Sequence, residues 1–367
     1  MKKRLLAILL CVLMAIPMVA CGDSKVEQPK VTKLAEYKDF AKVLTGDYEM
    51  TDEKIKTYFN DMVFNVGIGY IEVKDRDVVQ AGDIVLTDYT GYLDGKAFQG
   101  GSTISADGKS DPAWIDVSKN CGVDPNSGNS TSSFITGFSK GLLGAKIGQK
   151  TSSEVTFPAD YGNAELAGKL TTFEFDVKAI YTTLTPETIT DAMVEEKFKE
   201  SEGITTVAEL MELIKKELAF NLVINSVVEN STFDISDEYL ESRLDEYQAL
   251  FEALYCTNVD INTFLKQYYG VDLENARAQW KPSLLSQIKG EVVFAAIVKE
   301  ENLKTDKAIL EEYVESVMKP SGSSQQDAFF SKEENVYKML GVGNAEVGKE
   351  YYLNQNAVNE FIMENYK

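Results

Sequence analysis

The chain has 367 residues and a formal net charge of −21, and it is 44% hydrophobic and 10% aromatic with no histidine. The absence of histidine excludes Ser-His-Asp and Cys-His catalysis and histidine-ligated metals. The acidic balance repels phosphate backbones, so nucleic acid is not an expected partner, and the length suggests two or three domains.

The four cysteines give no sign of a metal or redox site. They are Cys11, Cys21, Cys121 and Cys256, and no two of them have C-x-x-C spacing. The positions of these four cysteines therefore signal neither a zinc site nor a thioredoxin-like motif. We therefore expect no metal and no cofactor, and no disulfide between Cys121 and Cys256.

Residues 1–20 have the pattern of a secretory signal peptide, with three basic residues at positions 2–4 before an apolar stretch. The stretch is shorter than the about 20 apolar residues of a permanent membrane helix. It ends before Cys21 in a way that resembles the bacterial lipobox, although Met18 stands where leucine is usual. The resemblance implies a lipidated Cys21, an anchor in the cell membrane and an extracytoplasmic location. An ordinary signal peptide with an incidental cysteine is the alternative.

One amphipathic helix is predicted near the N-terminus. Residues 21–32 are polar and are predicted to form a flexible tether. Residues 51–66 then carry apolar side chains at helical spacing, including Phe59 and Val63. Since a single amphipathic helix cannot form a core, its partner must lie elsewhere in the chain.

The pattern of apolar residues and glycines changes twice after this helix. Between about residue 76 and residue 182, apolar runs alternate with glycine-rich turns, which predicts a compact and mainly β domain. From about residue 185 the apolar residues follow a helical period. This period predicts helices over 208–228, 236–255, 272–300 and 348–366. Pro282 predicts a kink or break in the helix over 272–300.

Short motifs in a fixed order carry a family resemblance. They are GDIVLTDYTG at 82–91, DGKAFQGG at 94–101, FITGF at 134–138, VTFPADY at 155–161 and FEFDV at 173–177. In this order they resemble FKBP-type peptidyl-prolyl isomerases, in the form found in trigger factor. Residues 219–314 resemble the helical C-terminal chaperone domain of trigger factor, more in pattern than in identity.

The resemblance implies an α+β fold: an FKBP-like antiparallel β-sheet domain with a short helix, and an all-α domain like the C-terminal domain of trigger factor. It implies this division of the chain: a signal peptide at 1–20, a lipidated tether at 21–32, a helical segment at 33–75 that packs with the C-terminal arms, an isomerase domain at 76–182 and a helical chaperone domain at 183–367. The ribosome-docking N-terminal domain of trigger factor has no counterpart here. We therefore expect a folding factor that acts after export, without ribosome docking.

The resemblance also implies an aromatic cleft that binds proline. Its walls are Tyr89, Phe98, Trp114, Phe138, Tyr161 and Phe175. Phe134 and Ile135 lie where the family contacts substrate, and the Ile135 amide is the usual backbone donor to it. Gln99 is neutral where many members carry an acid, and the loop over 102–133 is longer than expected and borders the cleft. For Phe157 and Phe173 we favour a role in the core, and for Asp83 and Asp88 a role in turns and strand edges.

Three functions are compatible with these patterns. The first is an isomerase and chaperone for unfolded or nascent exported polypeptides with X-Pro bonds. The second is a non-catalytic holdase lipoprotein that binds unfolded chains, which Gln99 and the long loop favour somewhat. The third is a lipoprotein binding or adhesion module, against which the ordered aromatic set argues.

Overall fold

The computed structural model describes residues 27–256, 259–318 and 325–366, and these form two compact units. The first unit comprises residues 52–214. The second comprises residue 27 to residue 51 together with the described residues from 215 onward. The predicted signal peptide and the lipidation site at Cys21 lie outside the described residues.

The described residues form strands and helices that agree with the mixed α+β prediction. The strands are β1 (Lys30–Lys33), β2 (Tyr70–Glu72), β3 (Ile84–Leu93), β4 (Lys96–Ser102), β5 (Ala113–Asp116), β6 (Cys121–Val123), β7 (Ser130–Ser133), β8 (Lys150–Thr156), β9 (Leu170–Thr183) and β10 (Thr232–Asp234). The helices are α1 (Phe40–Val43), α2 (Asp52–Asn65), α3 (Asp191–Phe198), α4 (Val207–Asn230), α5 (Asp237–Tyr255), α6 (Ile261–Tyr269), α7 (Leu273–Glu301), α8 (Lys307–Val317), α9 (Gln325–Phe330), α10 (Glu333–Leu340) and α11 (Ala345–Asn365).

The first unit is built on an antiparallel sheet of eight strands. Its order is β2-β9-β3-β5-β6-β7, with β4 paired to β3 and β8 paired to β9. Along β9, buried and less buried residues alternate from Thr171 to Val177, because successive side chains in a strand point to opposite faces. One face therefore carries the main core of the unit, which includes Val85, Ile115, Phe175 and Ile180.

The predicted N-terminal helix is present as α2, and its partner lies in the same unit. Phe59, Met62 and Val63 of α2 are buried against residues between Leu184 and Ile214, which include α3 and the start of α4. The first unit therefore extends to Ile214, and the predicted boundary at 182/183 does not coincide with the boundary between the compact units. The predicted 33–75 segment is likewise divided, because its part before residue 52 belongs to the second unit.

The second unit is mainly helical. Side chains of residues 31–44 pack with α7, α11 and the later part of α4 around Val223, Phe294 and Ile362. The predicted kink or break at Pro282 does not interrupt α7, which runs as one helix of 29 residues. The helix predicted over 236–255 is present as α5, and Ser236 caps it, since its side chain accepts a hydrogen bond from the Tyr239 amide.

A buried ion pair ties α5 to α7 in the second unit. The Arg243 side chain is 2% exposed and binds both carboxylate oxygens of Glu291 at 2.8 and 3.1 Å. It also donates to the Gly341 carbonyl oxygen at 2.9 Å, beyond the end of α10. Burial opposes the charge, but Glu291 outweighs it and raises the pKa of the guanidinium. Arg243 also lies 3.2 Å from Glu246, so removal of Arg243 would leave two largely buried carboxylates without their cationic partner.

Candidate active site

Aromatic side chains from β3, β4, β9, the turn that follows β7 and the residue after β8 meet on the core face of the sheet. We call these the aromatic cluster: Tyr89, Phe98, Phe134, Phe138, Phe157, Phe173 and Phe175. The register between β3 and β9 brings some of these rings together, because Tyr89 is directly opposite Phe175 and Gly91 is directly opposite Phe173. The ring centroids of Tyr89 and Phe138 are 5.1 Å apart, and those of Phe138 and Phe173 are 4.8 Å apart, both edge to face.

Two glycines make room for the Phe98 ring. A Cβ atom on Gly91 would lie 2.4 Å from that ring, and one on Gly101 would lie 2.2 Å from it. The ring packs edge to face on Phe173 at a centroid distance of 5.7 Å. Any larger residue at either glycine would displace the Phe98 side chain.

The cluster has a buried floor and a partly exposed rim. Phe138, Phe173 and Phe175 are 1–5% exposed and form the floor. The rim consists of the partly buried residues Tyr89, Phe98, Phe134 and Ile135. Burial raises the pKa of the Tyr89 hydroxyl, so this rim residue is neutral at physiological pH. The rim can therefore offer apolar ring surface to a ligand without presenting a charge.

Two further predicted residues lie at the margin of the cluster. Tyr161 is 42% exposed and touches it through Phe157, at a ring centroid distance of 4.6 Å. Gln99 follows Phe98 on β4 and is exposed. The structure thus brings together Tyr89, Phe98, Phe134, Ile135, Phe138 and Phe175, and it places Tyr161 beside them.

Trp114 is a correction to the predicted wall. It is opposite Leu86 in the sheet, and its neighbour Ile115 points into the core face. Because adjacent residues of a strand point to opposite faces, Trp114 lies on the other side of the sheet. There it stacks on Tyr70 and contacts Tyr181 at a centroid distance of 4.4 Å.

Asn120 holds the segment of Phe134 and Ile135, which the sequence analysis predicted to contact substrate. Its side-chain amide donates to the carbonyl oxygens of Phe134 at 3.1 Å and Ile135 at 3.0 Å. Its side-chain oxygen accepts from the Ser139 amide at 2.8 Å, and its backbone oxygen accepts from the Phe134 amide at 3.1 Å. Asn120 has φ of 53°, a left-handed conformation that asparagine tolerates better than most residues.

The sequence analysis missed Asn120. Its role depends on contacts 14 to 19 positions away along the chain, and no motif contains it. Within the described residues, the Ile135 amide has no hydrogen-bond acceptor, so this donor is available at the rim.

The acidic residues near the cluster are structural, as expected. Asp83 accepts two hydrogen bonds from the Arg76 guanidinium at 2.6 and 2.7 Å and one from the Gln80 amide. Asp88 accepts hydrogen bonds from Ser110 and Thr103 and lies 3.3 Å from the Lys178 ammonium.

The pKa of Asp88 reflects two opposing effects. Burial raises the pKa of the carboxyl, but the two hydroxyl donors and Lys178 outweigh burial and hold it below its usual range. Asp88 is therefore ionised at physiological pH, and it ties the loop between β4 and β5 to the sheet.

Other classes of site find no support among the described residues. They contain no group of three or more Cys, Asp or Glu side chains placed to hold a metal ion. Cys121 and Cys256 both have free thiols. No helix in the described part of the chain has the length and apolarity needed to cross a membrane.

Two family models match separate parts of the chain. Residues 76–180 match the model described as FKBP-type peptidyl-prolyl cis-trans isomerase. Residues 196–341 match the model described as bacterial trigger factor protein C-terminus. Together they cover most of the sheet of the first unit and much of the helical region.

Curated trigger factors are similar to this chain. The protein from Halothermothrix orenii is 28% identical over 82% of this chain and 66% of its own length. The protein from Clostridium beijerinckii is 30% identical over 74% of this chain and 60% of its own length. The protein from Bacillus pumilus is 27% identical over 94% of this chain and 76% of its own length.

The similarity is partial in length. The chain covers 60–66% of the length of the Halothermothrix orenii, Syntrophotalea carbinolica and Clostridium beijerinckii relatives. A solved structure of the trigger factor chaperone aligns over 97% of this chain and 81% of its own chain, with a TM-score of 0.30 and 16% identity. Residues 76–180 are therefore similar to FKBP-type isomerase domains and residues 196–341 to the trigger factor C-terminus, and the chain as a whole is similar to trigger factors.

Proposed function

We propose that the chain is a peptidyl-prolyl cis-trans isomerase and chaperone that helps exported polypeptides to fold. The observation that carries the isomerase proposal is the aromatic cluster, in which residues from separate strands form an apolar rim over a buried floor. The match of residues 76–180 to the FKBP-type family model supports the same activity.

The cluster suits a reaction that needs no nucleophile and no proton transfer. An X-Pro bond isomerises slowly because twisting it loses amide resonance, at a barrier of about 18–20 kcal/mol. The twisted amide is less polar than the planar one, so an apolar surface favours it over the ground state. We propose that Tyr89 and Phe98 enclose the proline ring and that the Ile135 amide donates to a substrate carbonyl.

The helical region is proposed to bind unfolded chains. The match of residues 196–341 to the trigger factor C-terminal model supports this part of the proposal.

We also propose that Cys21 is lipidated and anchors the protein outside the cytoplasm. The only support for this part is the lipobox-like motif before Cys21. Replacement of Cys21 by serine should release the protein from the membrane fraction and abolish labelling by a radioactive fatty acid. Unchanged labelling would contradict the anchor.

A proline-peptide assay tests the enzymatic proposal. The protein should accelerate cis-trans exchange of a tetrapeptide, and Phe98→Ala or Tyr89→Ala should reduce kcat/KM. Loss of about 1.5–3 kcal/mol of ring contact corresponds to a reduction of about 10- to 150-fold. Circular dichroism and thermal unfolding must show that the variants remain folded.

The holdase remains the alternative function, because Gln99 is neutral. Suppression of client aggregation without any acceleration of proline exchange would support the holdase and contradict catalysis. Equal activity in wild type and both variants would show that these rings do not form the site.

A further inference from the structure

Strand β7 is an edge strand of the sheet. It is the last strand in the order and pairs with β6, and no other strand in the described ranges pairs with it. Its four residues, Ser130 to Ser133, are all exposed. Natural proteins usually protect such an edge with short length, proline, charge or a bulge, because unpaired backbone groups attract other strands. β7 is short and its pairing with β6 is irregular between Gly122 and Val123, but its four residues include neither proline nor a charged side chain.

The hydrogen-bonding pattern shows which backbone groups of this edge face outward. The Phe134 amide donates inward to the Asn120 carbonyl oxygen, and Ser133 is directly opposite Cys121. In an antiparallel pair, residues with inward hydrogen bonds alternate with residues whose backbone groups point away. The N–H and C=O of Ser133 therefore point outward. The Ile135 N–H, two residues further on and beyond the end of β7, has no acceptor in the described structure.

These outward groups have the spacing of a strand partner. Two residues of a strand span about 6.6 Å, so the Ser133 and Ile135 amides repeat at the interval of a facing chain. The Asn120 side chain donates a hydrogen bond to the Ile135 carbonyl oxygen, whereas the Ile135 amide has no acceptor in the described structure. β7 ends at Ser133, and the chain runs from it directly into Phe134 and Ile135 of the rim.

We propose that β7 extends the substrate site and binds client residues on one flank of the X-Pro bond as an added antiparallel strand. This inference rests on the proposed function, because Ile135 is the shared contact. Strand addition uses backbone hydrogen bonds, which every unfolded polypeptide can make regardless of its sequence. The serine and threonine side chains of β7 offer no apolar groove, so recognition falls to the backbone.

The occupant is an extended client segment, and the continuity of the edge with the rim is the reason for this choice. A proline held over the cluster places its flanking residues at the edge, so they bind at a high effective concentration. A second copy of the chain at the same edge is the competing occupant. The two occupants differ in whether binding depends on a peptide with proline.

Peptides with altered backbones provide the test. The proline tetrapeptide is extended by four alanine- and serine-based residues on either flank, and Kd is measured by fluorescence anisotropy with the full chain. Extension on one flank should tighten binding about 5- to 30-fold, as two to three added backbone hydrogen bonds would do. N-methylation at every second residue of that flank should abolish the gain, while N-methylation at the residues between should preserve it.

Matched protein variants sharpen the result. Ser133→Pro removes the outward N–H and should abolish the gain from extension, whereas Ser133→Ala should retain it. The preceding residue, Ser132, is already in a strand, which is the conformation that proline requires there. Thermal unfolding checks that both variants are folded, and the peptide series alone decides the matter if Ser133→Pro unfolds.

Several outcomes would overturn the proposal. One is that extension of the peptide on either flank does not tighten its binding. Another is that extension tightens binding, but N-methylation has the same effect at every residue of the flank. A dimer in analytical ultracentrifugation that extended peptides fail to dissociate would assign the edge to a second copy. The unextended tetrapeptide separates this result from the proposed function: its isomerisation succeeds or fails independently of the flanks.

Discussion

The two faces of one sheet each carry an aromatic group, and the groups differ in construction. On the core face, the aromatic cluster has a buried floor and a partly exposed rim. On the other face, a second group, here called the rear stack, consists of Phe64, Tyr70, Trp114 and Tyr181. The loop between β6 and β7 closes over the rear stack, since a Cβ on Gly128 would lie 2.6 Å from the Phe64 ring.

The comparison shows that aromatic content alone does not identify a binding surface. In the rear stack all four rings are partly buried, and the stack joins α2 to β2, β5 and β9 within the first unit. Its rings therefore stabilise the fold. In the aromatic cluster, the partly buried rim instead lies over a floor of fully buried rings.

The largest expected effect separates the two groups by replacing one ring from each. Trp114→Ala should lower the free energy of unfolding by about 2–3 kcal/mol, below the range of about 3–5 for a fully buried ring, because Trp114 is half-buried. Its kcat/KM per folded molecule should stay within about twofold, whereas Phe98→Ala should lose activity. Urea unfolding and the tetrapeptide assay measure both quantities. A large loss of activity in folded Trp114→Ala would show that the rear stack also contributes to activity, contrary to the proposed difference between the two faces.

A smaller effect is expected at Asn120, which positions the rim. Asn120→Gly keeps the left-handed backbone but removes three side-chain hydrogen bonds to residues 134–139. Looser positioning of Phe134 and Ile135 should raise KM about 5- to 10-fold, with little change in kcat. Asn120→Asp retains the acceptor for the Ser139 amide and should fall between glycine and wild type. If kcat fell and KM did not change, Asn120 would have a role other than positioning.

A further prediction concerns Asp88, which lies on the face of the rear stack. Because its folded pKa is depressed, its ionised form contributes stability above the ordinary carboxyl pKa of about 4, and that contribution is lost as pH falls through the folded pKa. Asp88→Asn should lower the free energy of unfolding by about 1 kcal/mol at pH 7. The difference from wild type should shrink below pH 4, as followed by urea unfolding at several pH values. A difference that grew in acid would reverse the assigned sign.

The smallest effect is expected at Gln99. The side chain is exposed, so Gln99→Glu should change kcat/KM by less than about twofold in the tetrapeptide assay. Gln99→Ala serves as the control for loss of the side chain. A large increase with glutamate would show that the neutral residue limits catalysis, which would favour the holdase for the natural sequence.

Much of the fold was predictable from local patterns. The α2 helix, the cap at Ser236 and the long strands β3 and β9 follow from residue spacing and capping chemistry. The motif order predicted the rim residues Tyr89 and Phe98. These features depend on residues that lie close together in sequence, so a single sequence contains the information.

The face of Trp114 and the role of Asn120 were not predictable. A shift of one residue in strand register moves a side chain to the opposite face, and the register of β5 is set by pairing with β3 and β6. The alternative of a break at Pro282 was wrong, because α7 continues through this residue, while the alternative of a kink stays a prediction.

The sequence by itself determined the kinds of element, their order and the FKBP-like motifs, because these depend on neighbouring residues. Only the tertiary structure decided which aromatic rings share a face, which asparagine holds the rim and which edge of the sheet stays open. Each of these depends on pairing between residues far apart in the chain, and no local pattern specifies the partner.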